Sequence, residues 1–236
     1  MNLIIPAAGR ARRLRPLTNS CPKNLLQIGD KSILEMQIES IPLNKIDKIV
    51  FVLGFMKDKI IEHVNSLNID IPVSYYYNDN YLYSNCAYSL LMAKEEMVNG
   101  FILLNCDLIF SKFNFERVLD SKKRNTIAAR KIKEFRTDLQ KVYINNGKIT
   151  KWADGLKNAN AEVMGPLKMC SEDAGKIIEY YDSLPKIEKE KMHCFSLFSN
   201  CIEMIDYYPI FVNDNEWKEI DTSEDLHKTI SFLKNN

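Results

Sequence analysis

Four arginines in six residues, Arg10, Arg12, Arg13 and Arg15, follow directly on Pro6-Ala7-Ala8-Gly9, and Pro22-Lys23 comes a few residues later. Guanidinium forks match phosphate oxygens bidentately, and a lysine ammonium acts on phosphate as a compact point charge. Residues with little or no side chain let the backbone turn sharply and bring its N–H groups close to an anion. The stretch therefore has the composition of a phosphate cradle, with backbone from Pro6, Ala7, Ala8 and Gly9 and side-chain charge from Arg10, Arg12, Arg13 and Lys23. Basic clusters are often only solvated arms or nucleic-acid contacts. This one follows Leu3-Ile4-Ile5, a continuous apolar run that reads as a buried strand. The formal charge of the whole chain is only +1, which excludes a globally basic nucleic-acid binder and leaves any polyanion to a local patch.

The string Ala7-Ala8-Gly9-Arg10-Ala11-Arg12-Arg13-Leu14-Arg15-Pro16-Leu17-Thr18, continued by Pro22-Lys23-Asn24-Leu25-Leu26, Ile28-Gly29 and Lys31-Ser32-Ile33-Leu34-Glu35, resembles the signature of the nucleotidyltransferase family. Those enzymes join an NTP to a sugar 1-phosphate or a related phosphomonoester. The family pattern has a second glycine and a Ser or Thr where this chain has Ala11 and Arg12, which implies a stiffer loop with rearranged phosphate contacts. Arg13 falls on the family's catalytic arginine and Lys23 on its active-site lysine. Such chemistry brings two highly negative groups together, and a carboxylate-held divalent cation offsets their repulsion. The resemblance implies Mg²⁺ held by Asp107 and Asp221. Asp107 follows the apolar run Phe101 to Leu104, at the strand end where open α/β sheets bind ligands. Asp221 lies in Glu219-Ile220-Asp221-Thr222, similar to the family's acidic element, although on residue types alone it reads first as a helix cap.

Asn85-Cys86-Ala87-Tyr88-Ser89-Leu90 and Trp217-Lys218-Glu219-Ile220-Asp221-Thr222 resemble elements of the CTP:phosphocholine cytidylyltransferase branch, in which a second Asn often stands at the position of Cys86. The expectation is CTP plus a phosphomonoester (phosphocholine-like, phosphonate or phosphoglutamine-like) going to a CDP- or CMP-activated product and pyrophosphate, for capsule or surface glycoconjugate synthesis. Asn85 is then a nucleotide contact or a helix cap. Tyr88, Glu162 and Lys168 are acceptor-binding candidates; a loop lysine is the plain alternative for Lys168. A choline-like cation calls for an aromatic cage and a carboxylate, to which Tyr75, Tyr76, Tyr77, Tyr81, Tyr83 and Tyr88 could contribute, or else form a half-buried strand. Two rival readings are a guanylyl- or uridylyltransferase acting on a sugar 1-phosphate, and an inactive nucleotide-binding regulatory subunit. His63, His193 and His227 read as surface or packing residues rather than bases.

The elements that position these residues alternate. Strands are expected at Leu3–Ile5, Ile46–Gly54, Ile71–Tyr77 and Phe101–Leu104. Helices are expected at Ile33–Pro42, with Ser32 and Glu35 as a capping box, at Lys57–Leu67, and from Ser84 or Asn85 to about Met97. The alternation implies an α/β fold, a Rossmann-like mixed, mainly parallel sheet flanked by helices. Further on, Asn125–Arg130, Gln140–Ile144 and Lys148–Trp152 read as strands. Asn145-Asn146-Gly147 turns the last two into a hairpin that extends the sheet on the acceptor side. Ser171–Leu184, capped by Ser171, one or two helices within Pro185–Tyr208, a strand at Ile210–Val212 and a terminal helix Ser223–Lys234 complete the chain.

At 236 residues and 46% hydrophobic, the chain suits one domain with a full core, divided into a nucleotide-binding half (1–110) and an acceptor-binding half (111–236). No apolar run approaches the roughly 20 residues that span a bilayer, and no secretory signal is legible. Six scattered cysteines suit free thiols rather than a zinc site or a disulfide framework. The expectation is a cytoplasmic protein, monomer or homodimer, with neither nucleic-acid nor membrane partners.

Overall fold

The computed structural model describes residues 1–132 and 139–234. The chain runs β1 (Asn2–Ala7), a two-strand clip β2 (Gln27–Ile28) and β3 (Lys31–Ser32), α1 (Ile33–Ser40), β4 (Lys48–Leu53), α2 (Lys57–Ser66), β5 (Val73–Tyr77), α3 (Cys86–Met92), β6 (Phe101–Leu103), β7 (Leu108–Phe110), α4 (Lys112–Asp120) and β8 (Thr126–Lys131). It continues with β9 (Gln140–Asn145), β10 (Lys148–Ala153), β11 (Ala161–Met169), α5 (Ser171–Ser183), α6 (Lys186–Lys191), α7 (Cys194–Ser199), β12 (Tyr208–Phe211), β13 (Trp217–Glu219) and α8 (Ser223–Lys234).

Strands β5, β4, β1 and β6 lie side by side and parallel, with β1 in the centre. Leu3, Ile4 and Ile5 have no exposed surface, as a strand covered on both faces requires. Beyond β6 the sheet turns antiparallel through β11, which pairs with β8, and β8 carries β12 alongside it in parallel. One edge of β11 pairs with β9 at Ala161–Val163 and with β6 at Leu167–Met169. The pairing shifts between Val163 and Leu167, across Gly165-Pro166, where proline cannot donate to a ladder. That break lets the β9–β10 hairpin branch from the sheet. The hairpin closes through Asn146 and Gly147, both at positive φ (50° and 75°), the backbone that a type I′ turn demands.

Alternate residues of β1 and β4 feed two cores. Ile4, Val50 and Val52 pack with Leu90, Ile177, Leu197 and Phe198 of α3, α5 and α7. Leu3, Ile5 and Phe51 pack on the other face with Leu34, Ile60 and Phe115 of α1, α2 and α4. A third, small cluster joins Leu14, Leu26, Ile28 and Ile33 to Ile220 and Leu226. It ties the segment after β1 to the segment before and within α8.

Several boundaries differ from the sequence reading. The helix from Cys86 stops at Met92 and continues as a 3₁₀ turn over Lys94–Glu96. Cys170, not Ser171, occupies the cap position of α5 and gives no side-chain cap. Trp217–Glu219, not expected as a strand from the sequence, forms one paired with β7. The nine-residue β11 is nowhere expected from the sequence, because its Gly165-Pro166 looks like a break. Ser32 and Glu35 form the expected capping box, with Glu35 N–H donating to Ser32 Oγ at 3.1 Å and Ser32 N–H to Glu35 at 2.6 Å. No helix among the described residues is long and apolar enough to cross a membrane.

Gly54, at the end of β4, marks a close approach. A Cβ there would stand 2.9 Å from the Ala8 carbonyl oxygen and 2.9 Å from Tyr81 Cβ, and Phe55 N–H donates to Ala8 O at 3.0 Å. Gly54→Ala must therefore push the Ala8-Gly9 segment outward. Urea denaturation is expected to show a loss of about 1–3 kcal/mol; a loss below experimental error would mean that the approach is not tight.

Candidate functional site: a buried lysine between two acids

The loop after β1 keeps the path that a glycine would take. Ala11 sits at φ 43°, ψ 55°, in the left-handed region that costs an ordinary L-residue roughly 1–2 kcal/mol. Its carbonyl is held by Leu14 N–H at 3.0 Å and Thr18 Oγ1 at 3.0 Å. Leu14 is fully buried, so the 3₁₀ turn Arg12–Leu14 is anchored on one side while Arg12 and Arg13 face solvent. A Cβ on Gly9 would meet nothing within 4 Å. That glycine leaves open space at the loop's surface rather than relieving a clash.

Asp107 and Asp221 come together through backbone pairing. Strands β7 and β13 run antiparallel with Glu219 opposite Leu108, and Ile220 N–H donates to Asp107 O at 3.0 Å. This register sets Asp107, Glu219 and Asp221 around one point, with carboxylate oxygens all within 4.8 Å of one another. The cap of α8 is supplied by Thr222: Asp225 N–H donates to Thr222 Oγ1 at 3.2 Å, and Thr222 N–H donates back to Asp225 at 2.8 Å. The carboxylate of Asp221 is thereby left for the site rather than for capping.

Lys23, 9% exposed, enters between the acids. Its Nζ donates to Asp107 Oδ2 at 2.9 Å and to Asp221 Oδ1 at 2.7 Å. Burial disfavours the Lys23 charge, but the facing carboxylates of Asp107 and Asp221 outweigh it and raise the ammonium pKa above its ordinary value. Burial likewise opposes the Asp221 charge, yet Lys23 and Arg13 hold its carboxyl below the usual range. Arg13 Nη2 reaches Asp221 Oδ2 at 2.8 Å with a side chain 64% exposed. Such a solvated pair is worth no more than about 1 kcal/mol, so structure alone gives Arg13 little reason to be there.

Lys23, Asp107 and Glu219 line a cavity of about 560 Å³ together with Pro6, Ala7, Ala8, Gly9 and Ala11. Tyr81, Asn85, Cys86, Asp154, His193 and Phe195 also line it. Arg10 and Arg12 border a shallower cleft next to it, beside Tyr81–Asn85, and Arg10 lies over the Phe55 ring at 5.8 Å. Asn85 holds the cap position of α3 without capping it; its Nδ2 donates to Lys191 O at 2.7 Å.

Three acceptor candidates lie outside the cavity lining. Lys168 caps the end of α4, donating to Leu119 O at 2.9 Å and Ser121 O at 2.6 Å. Glu162, wholly buried, pairs with Arg130 and Lys141, each at 2.6 Å. Tyr88 is half-buried on α3. Of the tyrosines considered for a cage, Tyr81 alone lines the cavity. Asp154 and Phe195 line the cavity without being marked by the sequence, and His193, expected at the surface or in packing, lines it too; Glu219 likewise joins the site. Glu219 was legible, as the acid two residues before Asp221; the others carry no local motif.

The carboxylate cluster fits a hard divalent cation. Its donors are all oxygen, as Mg²⁺ prefers, and Asp107 Oδ1 is buried with no hydrogen-bond partner among the described residues. Such an atom ordinarily needs a partner.

Fold and site together define an α/β enzyme built to hold a polyphosphate next to a carboxylate cluster. The chain belongs to the nucleotidyl transferase family, whose model matches residues 2–138. It is 28% identical over 236 residues, 100% of this chain and 99% of the relative, to a choline-phosphate cytidylyltransferase of Streptococcus pneumoniae. It is 25% identical to a CTP:phosphoglutamine cytidylyltransferase of Campylobacter jejuni, over 98% of this chain and 99% of that one. The solved CTP:phosphocholine cytidylyltransferase from Streptococcus pneumoniae shares the fold with a TM-score of 0.79 at 24% identity, over 98% of each chain.

Removal of the buried cation should invert the pH response of the site. In the native chain Asp221's depressed pKa contributes stability at neutral pH that is lost as pH falls through it, well below pH 5. In Lys23→Met the two acids face each other, so one carboxyl pKa must rise above its unfolded value. The variant is expected to lose about 3 kcal/mol at pH 8 and to recover part of it by pH 5, whereas the native chain gains nothing from this pair. Equal urea midpoints for the variant at both pH values would show that the acids do not interact.

Proposed function

We propose that this chain is a Mg²⁺-dependent cytidylyltransferase, which joins CTP to a small phosphorylated acceptor with release of pyrophosphate. The observation that carries the proposal is the convergence of Arg13 and Lys23 with Asp107 and Asp221 at one end of the cavity under the Pro6–Gly9 loop. Two relatives matched over nearly their full lengths are cytidylyltransferases, which favours CTP over the other nucleotides.

In this reading an oxygen of the acceptor phosphate attacks the α-phosphorus of CTP, the bond to the β-phosphate breaks, and pyrophosphate departs with the electron pair. Arg13, solvent-exposed and paired with Asp221, meets the charge gathering on the departing pyrophosphate. Lys23 holds the α-phosphate and the incoming phosphate, whose mutual repulsion is the main barrier. Both act by electrostatic stabilisation aimed at developing charge, and no covalent enzyme intermediate is required. Asp107, Asp221 and the adjoining Glu219 would hold the Mg²⁺, which when bound neutralises phosphate charge and orients the two reactants. Residues 1–110 serve the nucleotide and 111–236 chiefly the acceptor, with Glu219 and Asp221 crossing back to the first half.

Part of the cavity lining suits an acceptor that carries a cation. Tyr81 and Phe195 offer aromatic faces, and Asp154, held by the Gln140 amide, offers a carboxylate. That combination suits a quaternary or primary ammonium, as in phosphocholine or an aminoalkyl phosphonate.

The test is pyrophosphate release from each NTP with Mg²⁺ and a panel of phosphocholine, 2-aminoethylphosphonate, phosphoglutamine and sugar 1-phosphates. CTP with an amine-bearing acceptor is expected to give the highest kcat/KM, and Arg13→Ala, Lys23→Ala and Asp107→Ala are each expected to lower it by about 100-fold or more. Release only with a sugar 1-phosphate and GTP or UTP would overturn the substrate assignment, and no release with any pair would favour a binding subunit.

A further inference from the structure

Behind the carboxylate group, one polar side chain is buried on a helix face that packing alone would make apolar. The buried positions of α1 are Ile33, Leu34, Gln37 and Ser40, and Gln37 has no exposed surface. Its Nε2 donates to Asn105 O at 2.8 Å and to Leu108 O at 2.8 Å. Both partners are carbonyls, which only accept, so the NH₂ end of the amide must face them. Those two carbonyls bracket Cys106-Asp107. Leu108 N–H also donates to Asn105 O, at 3.2 Å, which closes Asn105–Leu108 as a tight turn with Asp107 inside it.

Strand pairing accounts for only part of this turn. Ile220 N–H donates to Asp107 O at 3.0 Å, and Leu108 stands opposite Glu219. In an antiparallel pair bonded and unbonded positions alternate, so Leu108 turns its N–H and C=O away from β13. The N–H goes to Asn105 and the carbonyl goes to Gln37. Strand β13 therefore holds Asp107 from one side, and α1 holds it from the other. The same helix is tied to the lysine. Ile33 N–H, at the start of α1, donates to Leu26 O at 3.1 Å, and Leu26 N–H donates to Lys23 O at 3.1 Å. Lys23 Nζ then returns to Asp107 at 2.9 Å. Lys23, α1, Gln37 and the Asp107 turn thus form a closed ring of bonds, in which the amide is a link that substitution can remove. Gln37 Oε1 is buried with no hydrogen-bond partner among the described residues. A buried acceptor in that condition is unfavourable, so Gln37 is not an optimum of core packing; what it secures is the turn.

We propose that Gln37 is a positioning residue: its amide clamps the Asn105–Leu108 turn so that the Asp107 carboxylate stands with Glu219 and Asp221 in the geometry a divalent cation needs. The inference rests on the reading above in which Asp107 helps to hold Mg²⁺. Gln37 itself touches neither phosphate nor metal. It acts through the backbone on either side of Asp107, as the outer groups that orient a metal's ligands do. Methionine at this position keeps the length of the side chain and removes both N–H donors, which frees the turn to tilt the carboxylate out of the group.

The experiment titrates Mn²⁺ alone into the whole protein and follows binding by solvent proton relaxation, so it needs no substrate pair. Gln37→Met is expected to weaken binding by about tenfold or more, the usual consequence of losing a group that orients a ligand. Gln37→His, which keeps one ring N–H at similar reach, should lose less, about threefold. Leu34→Ala, which loosens the packing of α1 but keeps both hydrogen bonds of the amide, should bind as the native chain does once its melting transition shows it folded. Asp107→Ala should abolish binding. With a substrate pair in hand, Gln37→Met should raise the Mg²⁺ concentration for half-maximal pyrophosphate release about tenfold and leave the acceptor KM within about twofold. Native affinity in Gln37→Met while Asp107→Ala is impaired, or an equal loss in Leu34→Ala, would overturn the clamp and leave the metal reading standing. A native chain that binds no Mn²⁺, or an Asp107→Ala chain that binds it equally well, would overturn the metal reading and the clamp together. If Gln37→Met does not fold, Gln37→His decides, and unchanged affinity there overturns the clamp.

Discussion

Everything at the centre of this protein depends on one ammonium group held between two carboxylates. Lys23 comes from the segment after the first strand, Asp107 from the turn between β6 and β7, and Asp221 from the segment between β13 and α8. Any one of these charges buried alone would be costly; together they are tolerated because opposite charges lie less than 3 Å apart. The lysine places a positive charge between the two carboxylates, with its Nζ at 2.9 Å from Asp107 and 2.7 Å from Asp221. In the proposed reaction its ammonium would serve the phosphates, while Asp107, Glu219 and Asp221 would hold a divalent cation.

Much of the site was legible because the charged residues stand beside hydrophobic anchors at short spacing. The strand Leu3–Ile5, the loop after it and the capping box at Ser32 and Glu35 follow from local pattern, whereas the pair Asp107 and Asp221 is implied only by the family resemblance. What sequence could not show was determined by pairing between distant segments. Strand β11 hides behind Gly165-Pro166, where a break in the ladder is the very feature that lets β9 and β6 share one edge. Lys168 has the charge of a substrate contact but ends as the cap of α4, because carbonyls at a helix terminus attract a cation as a phosphate anion does. Glu162, likewise, is absorbed by Arg130 and Lys141. Residue type alone could not distinguish these internal uses from external ones.

The departures from the family's loop are absorbed locally. Ala11 adopts the left-handed backbone despite its methyl group, and Thr18 and Leu14 hold its carbonyl in place. The path of the phosphate loop is therefore enforced by its supports rather than by glycine's freedom. Arg12, one residue on, stays in solvent at the edge of the neighbouring cleft, so the substitution adds charge at the mouth without changing the walls.

The small cluster of Leu14, Leu26, Ile28, Ile33, Ile220 and Leu226 makes the charged centre depend on apolar packing between segments far apart along the chain. It fastens the stretch that carries Arg13 and Lys23 to the one that carries Asp221, so a cavity opened there, remote from every charge, would loosen the Lys23–Asp221 and Arg13–Asp221 pairs together.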